Sequence, residues 1–154
     1  MSNHGDLLAR MVALQQEAIV GSVAYPRRFA KTPTLPYWLN WLGPATYETN
    51  SEDELVETRT VTTRLVVAHA TQGYDGEPEE LLNGYIEAWI ATIIDAPGLQ
   101  STTYPTEAAY IMPNAILPDS DTGIEYLLDT VSPFVMVGVE FSVDVELVYR
   151  RTVA

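Results

Sequence analysis

The stretch Phe134–Arg151, FVMVGVEFSVDVELVYRR, decides how the rest of the chain is read. Its odd positions are Val135, Val137, Val139, Phe141, Val143, Val145, Leu147 and Tyr149, all apolar. The even positions between them include Gly138, Glu140, Ser142, Asp144 and Glu146, all small or polar. Successive side chains on a strand point to opposite faces, so this alternation predicts a strand with one face in a core and one in water. β-Branched residues dominate the apolar set, and their stiff side chains pack well on a pleated surface. At ~3.3 Å per residue the segment reaches roughly 50 Å, where an ordinary strand has about five or six residues. A strand of that length bends, or runs past the sheet of its own subunit.

Working back from it, Ile124 to Val131 reads as a short strand, preceded by a turn at Asp119–Gly123. Ala108 to Leu117 (AAYIMPNAIL) predicts an edge or broken strand, because Pro113 cannot donate a ladder hydrogen bond. Glu77 to Ala96 is the clearest helix, with Leu81, Leu82, Tyr85, Ile86, Trp89, Ile90, Ile93 and Ile94 forming one wide apolar face. Pro78 suits its first turn, and Glu77, Glu79 and Glu80 match the positive end of its dipole. Pro97-Gly98 ends it. Thr58 to Thr71 has β composition, and Leu65–Ala70 is apolar on both faces apart from His69, as expected of an interior strand.

Tyr47 to Glu57 is acidic and predicts a solvated loop or a hairpin tip. In PYWLNWLGP, residues 36–44, Tyr37, Leu39 and Trp41 alternate with Trp38, Asn40 and Leu42. That pattern fits a strand with two useful faces or an apolar docking loop. Tyr25 to Pro36 (YPRRFAKTPTLP) holds three prolines and cannot be regular helix. Asp6 to Val23 forms the first amphipathic helix, through Leu7, Leu8, Met11, Val12, Leu14, Ala18 and Ile19. The predicted fold is a single α+β domain over residues 1–154: a mostly antiparallel twisted sheet, two helices packed on one face, and an extended arm at about 25–45.

The 154 residues carry a formal charge of −13, which argues against a protein that grips nucleic acid through clustered Lys and Arg. Such a surplus fits plain solubility or a salt-adapted source; it also fits a surface that sits near DNA without sticking to it. No apolar run is long enough for a membrane span and no signal peptide is read, so synthesis in the cytoplasm is expected. With no cysteine, disulfide and thiolate chemistry are excluded.

Of the eight basic residues only Lys31 is lysine, and nine Tyr and three Trp accompany them. Arg, Tyr and Trp are enriched at protein interfaces and Lys is depleted. Arg27, Arg28 and Lys31 fall in one short stretch. The acidic run, with Glu52, Asp53 and Glu54, is either a solvated loop or a negative rim that meets this basic arm on a neighbouring copy. A ring needs such opposite patches on each subunit. Trp38 and Trp41 are candidate anchors of that joint, or ordinary core residues. Arg150 and Arg151 complete the candidate interface set.

Groups for catalysis are few. Of two histidines, His4 is expected in a frayed N-terminus, and His69 in a strand is read first as structural. A catalytic alternative pairs His69 with Asp144 or Glu146 as acid and base in a small α+β enzyme or ligand-binding domain. No hydrolase, zinc-protease, phosphate-loop or dinucleotide motif is present. Asp119-Ser120-Asp121-Thr122-Gly123 with Glu125 lacks the ligand spacing of a calcium loop and reads as a turn. Neither a cofactor nor a metal is expected.

The order of these pieces resembles the tail terminator (tail completion) proteins of long-tailed bacteriophages. The matching parts are Leu7–Ile19, PRRFAKTPTLP, Thr58–Thr71, Pro78–Ile94 and GVEFSVDVELVYRR, which together span most of the chain. The resemblance rests on layout and size and carries over no motif residue. It implies a non-enzymatic virion protein of the tail or neck: a homohexameric ring that caps the tail tube and meets the head-completion or neck protein. It also implies that genomic double-stranded DNA passes through the lumen without specific binding. An acidic wall suits that passage, since the duplex carries a negative charge about every 1.7 Å.

Overall fold

A computed structural model describes residues 2–26, 34–71, 77–112, 124–129 and 134–151, with side chains described for these apart from 69–71, 77–79, 124–129 and 134–136. The elements run α1 (Asn3–Ala18), β1 (Val23–Tyr25), β2 (Tyr37–Ser51), β3 (Glu54–Thr71), α2 (Glu77–Ile94), β4 (Ile124–Asp129) and β5 (Phe134–Arg150). The alternating C-terminal stretch is therefore one unbroken strand, β5. It lies inside a five-stranded sheet of order β1-β2-β3-β5-β4. All neighbours are antiparallel except β1, which pairs parallel to the start of β2.

Register fixes which face is buried. Val61 lies opposite Val143, Thr63 opposite Phe141 and Leu65 opposite Val139, while Trp38 of β2 faces Leu65. These residues share one face, and all are buried. Leu7, Met11 and Leu14 of α1 and Leu82, Ile86, Trp89 and Ile93 of α2 close over it to make the core. The fold is thus α+β, with a mixed, mostly antiparallel sheet and both helices on the same face.

Helix α1 starts earlier than its apolar spacing suggests, because Ser2 caps it by accepting a hydrogen bond from the Gly5 N–H at 3.0 Å. It also ends earlier. Ser22 Oγ donates to the Ile19 carbonyl at 2.7 Å, and Gly21 takes φ +90°, a left-handed turn that favours glycine.

Strand β3 carries a bulge between Val66 and Ala68. The extra residue shifts the phase: Leu65 and Val61 face the core before it, Ala68 lies opposite core residue Val137 after it. The two-sided apolar run at Leu65–Ala70 comes in part from this change of phase. Gly138 sits beside the bulge, where a Cβ would run into the Leu65 carbonyl oxygen. That close approach explains the glycine in the β5 alternation.

Several expectations change. The stretch 37–51 is all strand, so the expected arm at about 25–45 gives way to β2 from Tyr37 onward. Of the two forms expected for the acidic run, the structure shows the hairpin tip: the ends of β2 and β3 around a tight turn. Strand β1 was too short to register as a pattern. At 108–117 the described residues show only an isolated bridge, Ile111 to Leu147, and residues 113–117 lie outside them.

Candidate assembly surface

The burial of β2 records where the helical cover ends. Tyr37, Trp38 and Asn40 are buried, whereas every residue from Thr46 to Ser51 is exposed. Strands β2, β3 and β5 have 15, 18 and 17 residues, and their ends run on together as a three-stranded ribbon past the N-terminus of α1. Beyond Glu57 the face that continues the core carries Tyr47, 59% exposed, and Leu55, 38% exposed. The opposite face is polar and knit across strands: Thr60 donates to Asp144 at 2.7 Å, and Arg64 to Glu140 at 3.1 Å.

At the ribbon's tip the Glu52–Asp53 turn meets the end of β5, because Glu54 is in register with Arg150. Arg150 Nε donates to Glu54 Oε2 at 3.0 Å, and Arg151 Nε lies 4.0 Å from Asp53 Oδ1. The Arg151 N–H also reaches the Asp53 carbonyl at 2.7 Å. Hydrogen bonds from Asn50 and then Arg150 hold the Glu54 carboxyl below its usual range. An open cleft of about 460 Å³ lies between this turn and Tyr149–Arg151, with Leu55 in its lining.

Glu52, Asp53, Glu54, Arg150 and Arg151 therefore share one tip. Two of those carboxylates already have arginine partners within the chain, not on a neighbour. Arg27, Arg28 and Lys31 lie outside the described residues.

The two tryptophans part company. Trp38 is fully buried, tilted against Trp89 with ring centroids 5.4 Å apart, and its indole N–H donates to Ser22 Oγ at 3.2 Å. It is a core residue and cannot anchor a joint, since β2 turns that face under the helices. Trp41 sits on the other face, partly exposed, with the Arg64 guanidinium 5.6 Å from its ring centroid.

At the root of the ribbon lies a polar cluster that the pattern of apolar residues hid. Glu57 is 1% exposed yet faces the core side of β3. Arg59 Nε donates to its Oε2 at 2.6 Å and the Tyr149 hydroxyl to its Oε1 at 3.0 Å. His4 Nε2 sits 3.2 and 3.0 Å from the two oxygens. Arg59 reaches onward to the Gly43 carbonyl at 2.9 Å and the Tyr47 hydroxyl at 3.1 Å.

Burial alone pushes the Glu57 carboxyl up, but hydrogen bonds from Arg59, His4 and Tyr149 outweigh it and hold the group below its usual value. The Tyr149 hydroxyl is pushed up by burial and by its bond to Glu57. His4 is thus no frayed residue: it ties α1 to the ribbon. Glu57 and Arg59 in the odd, core-facing phase of β3 were the available signal, as charges standing where only apolar residues were expected.

The alternative acid–base pair does not assemble. His69 is in register with Met136, whereas Asp144 lies opposite Thr60 and Glu146 opposite Thr58. Along β3 that is a separation of roughly 30 Å or more. Among the described residues no group of three or more His, Asp or Glu side chains could hold a metal ion, and no helix is long and apolar enough to cross a membrane. The Asp119–Gly123 turn lies outside them. No protein-family model matches this sequence, and no curated protein sequence matches it.

Proposed function

We propose that the chain is a structural ring subunit of a phage tail or neck, with a tail-terminator-like fold and no catalytic role. The observation that carries this reading is the three-stranded ribbon. Its strands extend past the helices that cover the rest of the sheet and expose Tyr47 and Leu55 together with a charged tip. A chain gains nothing for its own core from such an extension, whereas a joint between copies uses it.

Two further observations support the same reading. The order of α1, Pro-containing stretch, β2–β3 hairpin, α2 on the sheet and long closing β5 is the order on which the resemblance to tail terminators rests. The net charge of −13 suits a channel wall that lets a polyanion slide. On this proposal the partners are sibling subunits, the tail tube protein and a head-completion or neck protein, and the place of work is the virion.

The test is size and shape in solution, alone and mixed with tail tubes. A closed ring of about six copies with a central hole in negatively stained images is expected. A homogeneous monomer that also fails to cap tubes overturns the proposal.

A further inference from the structure

The edge of the ribbon points to a second, separate contact. Strand β1 covers β2 only from Tyr37 to Leu39, and among the described residues no strand pairs with the outer side of β2 beyond that. An uncovered edge presents a row of unpaired N–H and C=O groups, and proteins normally blunt one with Lys, Pro or a bulge. Here Pro44 and the register shift between Leu42 and Ala45 interrupt the edge on one side, and the shift between Thr49 and Ser51 interrupts it on the other. Between them Ala45–Thr49 (ATYET) is regular, rich in β-forming residues, free of Pro and Lys, and carries one charge.

We propose that Ala45–Thr49 pairs with the same segment of a second copy, antiparallel, about a two-fold axis at Tyr47. Two independent facts select that register. Tyr47 is the midpoint of the regular run, so only a two-fold there pairs all of it: Ala45 with Thr49, Thr46 with Glu48, and Tyr47 with itself. The same axis sets each Glu48 against a threonine. An axis at Glu48, or a parallel in-register pairing, places the two glutamates opposite each other, which is destabilising. Tyr47, more than half exposed in the single chain, is covered by its own copy.

The contact is isologous and so distinct from the head-to-tail joint of a ring. It joins two free chains or two rings, and stands or falls independently of the proposed function. Five paired residues bury little area, so the joint by itself is weak, with dissociation in the high micromolar range or above.

The chain has no cysteine, which makes single-cysteine variants clean reporters. Directly opposed residues have Cα atoms about 4.5–5.5 Å apart, within disulfide reach. Under mild oxidation Tyr47→Cys is expected to form covalent dimers about tenfold faster than Glu87→Cys, an exposed control on α2. Sedimentation of the cysteine-free chain supplies the second readout. Thr46 is exposed, so its variants keep the fold. Thr46→Lys sets a lysine against Glu48 twice per joint and tightens dimerisation about fivefold, while Thr46→Glu loosens it by a similar factor. Equal crosslinking at the two cysteines, or Thr46 variants that leave association unmoved or shift it in the opposite sense, overturns the proposal.

Discussion

Replacing Glu57 by glutamine tests whether one carboxylate holds the ribbon to the helix layer. Both of its oxygens receive donors: Tyr149 and His4 on Oε1, Arg59 and His4 on Oε2. A glutamine of the same shape must turn its NH2 toward one of these donors, whichever way it sits. Hydrogen bonds to a charged group contribute about 1.5–3 kcal/mol, and a dry, unpaired donor costs about 1–3 kcal/mol.

The side chains are 2% exposed at Glu57, 19% at Arg59 and 35% at His4, so the Arg59 contact dominates and the His4 contact is discounted for solvent. The loss for Glu57→Gln comes to about 2–4 kcal/mol, or roughly 5–12 °C in Tm for a chain of this size. Urea or thermal unfolding followed by circular dichroism measures it.

The pH dependence has a definite sign. The folded carboxyl lies below its ordinary value, so the unfolded chain takes up the proton first. The stabilisation is complete above the ordinary glutamate range near ~4.3 and is lost as pH falls through the lower folded value. The gap between the native chain and the variant should therefore be widest at neutral pH and close as pH falls below the ordinary glutamate range. Unchanged melting at pH 7, or a gap just as wide in acid, refutes the reasoning.

Gly138→Ala forces a Cβ against the β3 backbone at the Leu65 carbonyl and should cost about 1–3 kcal/mol in urea unfolding, against near-neutral replacement of exposed Gly84, which has open space around it. Asn40→Ala removes the partner of Gln15, Thr63 and the Tyr25 carbonyl in a dry site, with an expected loss of about 2–4 kcal/mol and faster amide exchange in α1. Arg27→Glu with Arg28→Glu should weaken assembly while leaving the subunit folded; an unchanged oligomer in sedimentation removes the basic arm from the joint.

What was legible in the sequence was whatever alternates or repeats against water. The odd-position apolar set of β5 and the paired apolar rows of α2 each face a core on one side only, so their periods survive. Thr46 to Ser51 is wet on both faces, which leaves no hydrophobic period to separate a hairpin tip from a solvated loop. Strand β1 is three residues long and is held by a distant partner, Tyr37–Leu39. The buried polar groups were invisible for a related reason: Gln15, Asn40 and Glu57 look like solvent-facing residues until the fold brings their partners. The tip residues Glu52–Glu54 and Arg150–Arg151 were picked out separately by charge, and only the β3–β5 register shows that they are neighbours.

The paired amides of Gln15 and Asn40 bear on how faithfully each copy is built. Gln15 Nε2 donates to Asn40 Oδ1 at 2.7 Å while Asn40 Nδ2 donates back to Gln15 Oε1 at 2.8 Å, both side chains fully buried. An oily helix face tolerates sliding by an ångström or two; a two-way amide clasp does not, since any slip strands four polar atoms in a dry place. The first helix thus docks at a single setting. In the ring proposed above, every chain would then present its projecting strands at the same angle and height, and errors that accumulate around a closed circle would be removed one subunit at a time.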